Sequence, residues 1–135
     1  MTFKLSAVSE RRLSTVAEPL RSIVYAVAAD FPTMVVCGHR TQADQEEAFR
    51  LKRSKLSWPR SKHNSNPSRA VDLAPLKNGA IDWNDREAFR ELARRMFFHA
   101  KARGVDIRWG GDFNMDGLEN DRFIDMPHFE LLGSV

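Results

Sequence analysis

Three side chains with metal-ligating chemistry stand out in the sequence, namely His63, Asp72 and His128. His63 falls in a polar run, SKHNSNPSR, and Asp72 follows nine residues later inside an apolar run, AVDLA. A carboxylate buried without a partner costs several kcal/mol, so Asp72 either pairs with a cation or holds a metal ion. Two histidines and a carboxylate, with a fourth position left for water, are a donor set typical of catalytic zinc.

The residue types alone leave other interpretations open. A histidine in a polar loop, such as His63, is most often solvated, and His128 can be a hydrogen-bonded core histidine. Asp72 can be satisfied by a salt bridge with Arg40 or Arg69. The single cysteine, Cys37, cannot form an internal disulfide, and its apolar surroundings, MVVCG, predict a buried, unreactive thiol.

Three stretches have the apolar spacing of amphipathic helices, at Ser9–Ala28, 41–53 and Asp85–Ala102. Pro19 can kink or split the first, and Thr41 is a good N-cap for the second. Gly104 is a suitable stop for the third. The apolar face that we predict for this third helix consists of Phe89, Leu92, Ala93, Met96 and Phe97.

Four short apolar runs predict strands, at 33–38, 70–75, 105–109 and 126–132, and Asn78-Gly79 predicts a tight turn or hairpin. The order of elements predicts an α+β fold, with helices packed on a small antiparallel sheet. If the strands that carry Asp72 and His128 are neighbours, these side chains and His63 can face one point. The zinc site would then lie on the sheet and its adjoining loops.

Composition and charge narrow the class of protein. The chain of 135 residues fits one domain, 1–135, and we expect a monomer without a separate binding domain. A net charge of +3 is mildly basic, but basic and aromatic residues do not interleave as in a nucleic-acid-binding module, so we expect no nucleic acid partner. No run approaches ~20 apolar residues, which predicts no membrane insertion, and the N-terminus lacks the apolar core of a signal peptide.

A second cation site is suggested by DFNMDG at 112–117. Asp112, Asn114 and Asp116, followed by Gly117, copy the opening of an EF-hand calcium loop, although Phe123 stands where the bidentate glutamate would be. The alternative is a polar turn closed by its own Asx-type hydrogen bonds. Bound Ca²⁺ would order the segment that leads to His128.

Four separated elements, in matching order, resemble the zinc D,D-/L,D-peptidase family, which includes D-Ala-D-Ala carboxypeptidases and the L-alanyl-D-glutamate endopeptidases of phage lysis. The elements are GHRT at 38–41, SKH with AVDLAP at 61–75, WGGDF at 109–113 and DMPHFEL at 125–131. The chain departs from the common pattern in its longer gap between the first histidine and the aspartate, and in Ser68 at a glycine position. We expect the extra residues, NSNP, to bulge outward and reshape one wall of the cleft.

The resemblance implies a role for each matching residue. The zinc ligands would be His63, Asp72 and His128. Asp125 would be the general base that takes a proton from the attacking water, and Arg40 would hold the scissile carbonyl.

Two further residues have expected roles beside these. We expect Ser61 to support the substrate or the loop of His63. Glu130, two residues after His128 on a strand, points to the same face, so it is a rival base or a hydrogen-bond partner of a ligand histidine.

The function implied is a zinc peptidase that cleaves the L-Ala-D-Glu bond of the peptidoglycan stem peptide. We expect a phage endolysin made in the host cytoplasm, which reaches the periplasm at lysis through a separate pore protein. One alternative is a D-Ala-D-Ala carboxypeptidase or dipeptidase of wall remodelling. Another is a catalytically silent wall-binding or virion domain on the same fold.

Overall fold

The computed structural model describes residues 3–117 and 124–133 and has the predicted α+β architecture. The helices are α1 (Ala7–Leu13), α2 (Glu18–Asp30), α3 (Gln42–Arg50) and α4 (Arg86–Ala102). The strands are β1 (Thr33–Cys37), β2 (Ala70–Pro75), β3 (Ile107–Trp109) and β4 (His128–Leu131), and a single 3₁₀ turn spans Lys62–Asn64. None of the helices in these described ranges is both long and apolar enough to cross a bilayer.

The helices follow the local chemistry of the sequence, with one difference from the prediction. The first predicted helix is split in two, one of the two outcomes expected of Pro19, because Pro19 lacks an N–H and is accommodated in the first turn of α2. The hydroxyl of Thr41 caps α3 by accepting a hydrogen bond from the N–H of Asp44. On α4 the prediction for Phe97 was wrong, since it is 41% exposed and Ala100, one turn after Met96, continues the buried stripe.

The four strands form one sheet in the order β1-β2-β4-β3, and every neighbouring pair is antiparallel. Side chains alternate across it: Val71 and Phe129 enter the hydrophobic core, which α4 and α2 cover. Their even-numbered neighbours on the two strands, among them Asp72, His128 and Glu130, face the opposite side of the sheet. Helices α2 and α4 therefore occupy one face of the sheet and leave the other for the site.

A β-bulge interrupts β1 beside this open face. Val35 pairs with Leu73 and Cys37 pairs with Asp72, so Val36 is an extra residue on β1. A bulge re-aims the side chains that follow it. Asp72 in turn pairs with His128 on β4, which creates one cross-strand row of Cys37, Asp72 and His128.

The predicted turn at Asn78-Gly79 is present between Lys77 and Ala80, which form an isolated antiparallel bridge. Both central residues have positive φ, 54° and 79°, as a two-residue type I′ turn requires.

Candidate metal centre and active site

The 3₁₀ turn after Ser61 holds His63 in place. The Ser61 hydroxyl accepts a hydrogen bond from the N–H of His63 at 3.2 Å, and the Asn64 side chain accepts one from the N–H of Ser61 at 3.1 Å. Asn64 also donates to the backbone carbonyl of Arg40. Asn64 therefore points inward and ties the turn to the chain after β1, whereas Asn66 and Pro67, which belong to the same predicted outward bulge, are exposed.

The carboxylate of Asp72 lies between the two histidines. Its Oδ1 is 3.2 Å from Nε2 of His63 and 3.2 Å from Nδ1 of His128. The structure thus brings together the three predicted ligands, although His63 and His128 are 65 residues apart in the sequence. Asp72 also lies 3.6 Å from a guanidinium nitrogen of Arg40, the salt bridge that the sequence left open as an alternative.

The hydrogen bonds of the two imidazoles determine which of their nitrogens can bind a cation. The outer nitrogen of each ring contacts an acceptor: Nδ1 of His63 contacts the Gly38 carbonyl at 2.7 Å, and Nε2 of His128 contacts the Glu130 carboxylate at 2.7 Å. Each outer nitrogen must therefore donate. The inner nitrogens then present lone pairs toward the Asp72 oxygen, and only a proton or a metal ion between them reconciles these groups.

The electrostatics of the site favour a positive charge there. Burial lowers the pKa of His63, but the attraction of the Asp72 carboxylate is stronger in total and raises that pKa to about 10. Burial also opposes charge on His128, and its hydrogen bonds to Asp72 and Glu130 raise its pKa. Burial of Asp72 is likewise overcome by the two imidazoles, which hold the pKa of its carboxyl well below the usual range.

The spacing of the donor atoms suits a small tetrahedral metal ion. Zinc bonds of about 2.0–2.1 Å to nitrogen and oxygen place neighbouring ligand atoms about 3.3 Å apart, close to the 3.2 Å separations of Asp72 from each histidine. Two overlapping groups of donor atoms share Asp72: one adds Cys37 and His63, and the other adds Asp125 and His128. The predicted ligand set takes one histidine from each group.

In the sequence, Asp125 precedes His128 and Glu130 follows it, and the two carboxylates have different surroundings. Glu130 bonds His128, and also pairs with Lys62 at 3.0 Å and Arg108 at 2.8 Å. Burial opposes its charge, yet the hydrogen bonds from His128 and Lys62 lower the pKa of Glu130 to about 2. Burial and the nearby Asp72 raise the pKa of Asp125. Asp125 is thus the carboxylate better suited to accept a proton.

Close backbone packing holds Asp125 beside the candidate metal ligands. Its N–H donates to the Gly110 carbonyl at 2.8 Å, and its carbonyl accepts from the N–H of His128 at 3.0 Å. A Cβ at Gly110 would lie 1.9 Å from the Asp125 carbonyl oxygen. The first glycine of WGGDF is therefore required for the chain to approach, which gives this motif a physical reason. Trp109 is in the core, 8% exposed.

Gln45 is a buried residue beside the site that sequence reasoning missed. It is fully buried, and its side-chain oxygen accepts from Arg40 at 2.8 Å and from Asn64 at 3.2 Å. Its amide nitrogen donates to the Ser54 hydroxyl at 2.9 Å and to the Leu56 carbonyl at 2.5 Å. The amide thus uses its full hydrogen-bonding capacity. A polar residue on the otherwise hydrophilic helix α3 carries no sequence signal of burial.

The three candidate metal ligands line a cleft with a volume of about 650 Å³, a size typical of a ligand site. Arg40, Ser61 and Asp125 line it with the three candidate ligands, as do the aromatic rings of Trp83 and Phe113. The cleft lies on the sheet face that α2 and α4 do not cover, so an extended chain could reach the candidate metal ligands directly.

The predicted calcium loop is closed by its own hydrogen bonds. The carboxylate of Asp112 accepts from the N–H groups of Asp116 and Gly117, and the Asn114 side chain also accepts from the N–H of Asp116. This is the Asx-type arrangement considered as the alternative. Phe123, the twelfth position of the EF-hand pattern, lies outside the described residues. Calcium binding here stays a prediction.

Comparison with known proteins gives concordant results. The sequence profile of the family described as phage L-alanyl-D-glutamate peptidase matches residues 1–132. The L-alanyl-D-glutamate peptidase of Escherichia phage T5 is 33% identical over 139 aligned residues, which cover 98% of this chain and 100% of that protein. The crystal structure of the Serratia marcescens L-Ala D-Glu endopeptidase ChiX superposes with a TM-score of 0.76 at 26% identity, covering 96% of this chain and 90% of that one.

Proposed function

Because this chain belongs to the phage L-alanyl-D-glutamate peptidase family, we propose that it hydrolyses the amide bond between L-Ala and D-Glu in the stem peptide of peptidoglycan. The observation that supports this most directly is the convergence of two histidines on the Asp72 carboxylate at the floor of an open cleft. Asp125 and Arg40 line the same cleft, so a base and an oxyanion-binding group accompany the candidate metal ligands.

The metal that these residues would hold is zinc. Two imidazole nitrogens and one carboxylate match its preferred donors, and the outer nitrogens of His63 and His128 are already oriented by Gly38 and Glu130. When bound, zinc polarises a carbonyl and lowers the pKa of water toward neutrality. We keep Ca²⁺ at Asp112, Asn114 and Asp116 as a separate and weaker proposal.

The protein's own side chains supply the remaining chemistry. Arg40 donates to the oxygen of the scissile carbonyl and stabilises the negative charge that develops there. Asp125 takes a proton from the attacking water and then delivers it to the amino group of the departing D-Glu. Glu130 is a poor alternative base, since His128, Lys62 and Arg108 already bond its carboxylate. Its role is to orient His128.

We also propose that the enzyme acts as an endolysin, made in the host cytoplasm and reaching the periplasm at lysis. The similarity to a protein of phage T5 supports this placement. A D-Ala-D-Ala carboxypeptidase is the alternative function. We do not favour it, because the family and both relatives are described by the L-Ala-D-Glu bond.

The test is digestion of purified Gram-negative murein, followed by mass spectrometry of the products. We expect peptides with a new D-Glu amino terminus, while the glycan chains remain uncut. His63→Ala protein, prepared in parallel, is the control and should release nothing. If free D-alanine were the sole product, the carboxypeptidase alternative would replace this proposal.

A further inference from the structure

One wall of the cleft is formed by three exposed cationic residues, Arg53, Lys55 and Arg60, which we call the cationic wall. They belong to the segment between α3 and the 3₁₀ turn of His63. They face the same cleft as the candidate metal ligands, so a substrate bound for hydrolysis lies within the field of their charges.

Two of the three acidic groups that line the cleft, Asp72 and Glu130, already contact other cations, and the third, Asp125, is the proposed base. Glu130 pairs with Lys62 and Arg108, and Asp72 contacts Arg40 and the two histidines. Arg53 and Arg60, in contrast, form no salt bridge within residues 3–117 and 124–133. The charge of Arg53 does reach Glu47, but that carboxylate is hydrogen-bonded to Arg50. Two guanidinium groups thus remain available to an anion in the cleft.

The cationic wall is held in position by the buried Gln45. Its amide nitrogen bonds the Ser54 hydroxyl and the Leu56 carbonyl, which lie in the backbone segment between Arg53 and Arg60. The same side chain bonds Arg40. Wall and active site therefore share one fixed anchor, and a pre-positioned binding group loses less entropy when a ligand binds.

The substrate carries its negative charge on one side of the scissile bond. In the stem peptide, D-Glu is joined to the next residue through its γ-carboxyl group, so its α-carboxylate stays free beside the scissile nitrogen. In Gram-negative murein the next residue is a diamino acid with a second free carboxylate. On the other side there is only L-Ala before the uncharged lactyl ether of the sugar. The departing fragment is thus an anion.

On the basis of the function proposed above, we propose that Arg53 and Arg60 form a subsite that binds the free carboxylates of the departing peptide and thereby sets the direction in which the stem peptide lies in the cleft. Guanidinium groups suit this role because they bind carboxylates with two parallel hydrogen bonds. Lys55 adds charge to the same wall.

The test uses disaccharide-tripeptides whose C-terminal carboxyl group is amidated, in four forms, with D-Glu or D-isoglutamine at the second position and diaminopimelate or lysine at the third. The Arg53→Gln/Arg60→Gln variant is compared with the parent protein and with Arg11→Gln/Lys101→Gln, which removes the same charge far from the cleft. The measured quantity is kcat/KM for release of the dipeptide with its new amino terminus, which is D-Glu or D-isoglutamine. Circular dichroism and zinc content check that the variants are folded and loaded.

We expect the double arginine variant to lose roughly 10-fold in kcat/KM on the form with both carboxylates, the value of one charge-assisted hydrogen bond. The loss should be small on the form that lacks both and should shrink at high salt. Each single replacement should reduce the loss, because each removes one of the two carboxylates that the subsite binds. The control variant should match the parent on all four forms.

Two results would overturn the subsite: an equal loss on all four substrates, or no loss on any. Neither result would touch the proposed function, because the parent protein would still release D-Glu amino termini. Failure of the parent protein itself on every substrate would instead reject the proposed function.

Discussion

At the scale of single residues, the two carboxylates beside His128 differ in their surroundings and in the roles that we propose for them. Asp125 lines the cleft, and burial raises its pKa. Glu130 is engaged by His128, Lys62 and Arg108. We predict that Asp125→Ala retains its metal and loses ~10²–10⁴-fold in turnover. Glu130→Ala should lose only ~10–100-fold. The measurement is the rate of murein hydrolysis by each variant, together with its zinc content. The opposite ranking of the two variants would identify Glu130 as the base.

Cys37 raises a question about which of two overlapping groups binds the metal. Its sulfur lies 3.9 Å from Nδ1 of His63 and 3.8 Å from a guanidinium nitrogen of Arg40. Nδ1 of His63 already contacts the Gly38 carbonyl, so the thiol faces the wrong nitrogen to share a metal with this ring. We predict that Cys37→Ser keeps one zinc per chain by atomic absorption, whereas His128→Ala loses it. Retention by His128→Ala with loss from Cys37→Ser would assign the metal to the other group.

At the scale of elements, Gln45 connects α3, the segment at 54–56 and Arg40. Gln45→Glu keeps the acceptor for Arg40 but removes the amide donors to Ser54 and Leu56. We predict that its KM rises several-fold with its zinc content unchanged, because an unmatched buried carbonyl costs ~1–3 kcal/mol and the wall shifts. Gln42→Glu, an exposed change on the same helix, is the control. Unaltered kinetics in Gln45→Glu would show that this anchor has no part in substrate binding.

Most elements could be predicted from the sequence because their signals are local. Apolar periodicity located the helices, Thr41 marked a cap, and Asn78-Gly79 marked a turn. The exceptions depend on tertiary contacts. Phe97 fits a helical apolar face by spacing, but it is exposed, and Ala100 is the buried residue that follows Met96. The bulge at Val36 exists only through pairing with β2, so the position of Cys37 beside Asp72 had no sequence signal.

The candidate site was predictable to a different extent. His63, Asp72 and His128 belong to spaced motifs, and the family resemblance supplied their roles before any geometry was known. Gln45 and the inward turn of Asn64 escaped because buried amides look like surface amides in a sequence. The roles of the site residues and the single-domain organisation over 1–135 stay predictions until the variants are measured.

For the whole molecule, the three candidate metal ligands belong to distant parts of the chain, since His63 lies in the 3₁₀ turn and Asp72 and His128 lie on two strands. A bound metal would connect these parts. A ligand that binds only the folded state raises stability by about 4 kcal/mol at a thousandfold excess over Kd. We predict that chelation lowers the Tm of the protein by roughly 10 °C, as measured by calorimetry. His63→Ala should melt at the same temperature with and without zinc, and a zinc-dependent shift in that variant would place the metal elsewhere.

The position of β4 has a consequence for how the protein becomes active. β4 follows the other three strands in the sequence, yet it lies inside the sheet, between β2 and β3. Its contacts bridge 56 residues to Asp72 and 22 residues to Arg108, and pairings over such separations form late in folding. A collapsed chain without β4 exposes two strand edges, which makes it prone to aggregate, and it lacks His128 at the site. Hydrolysis therefore begins only when folding is complete, and activity is itself a measure of the folded fraction.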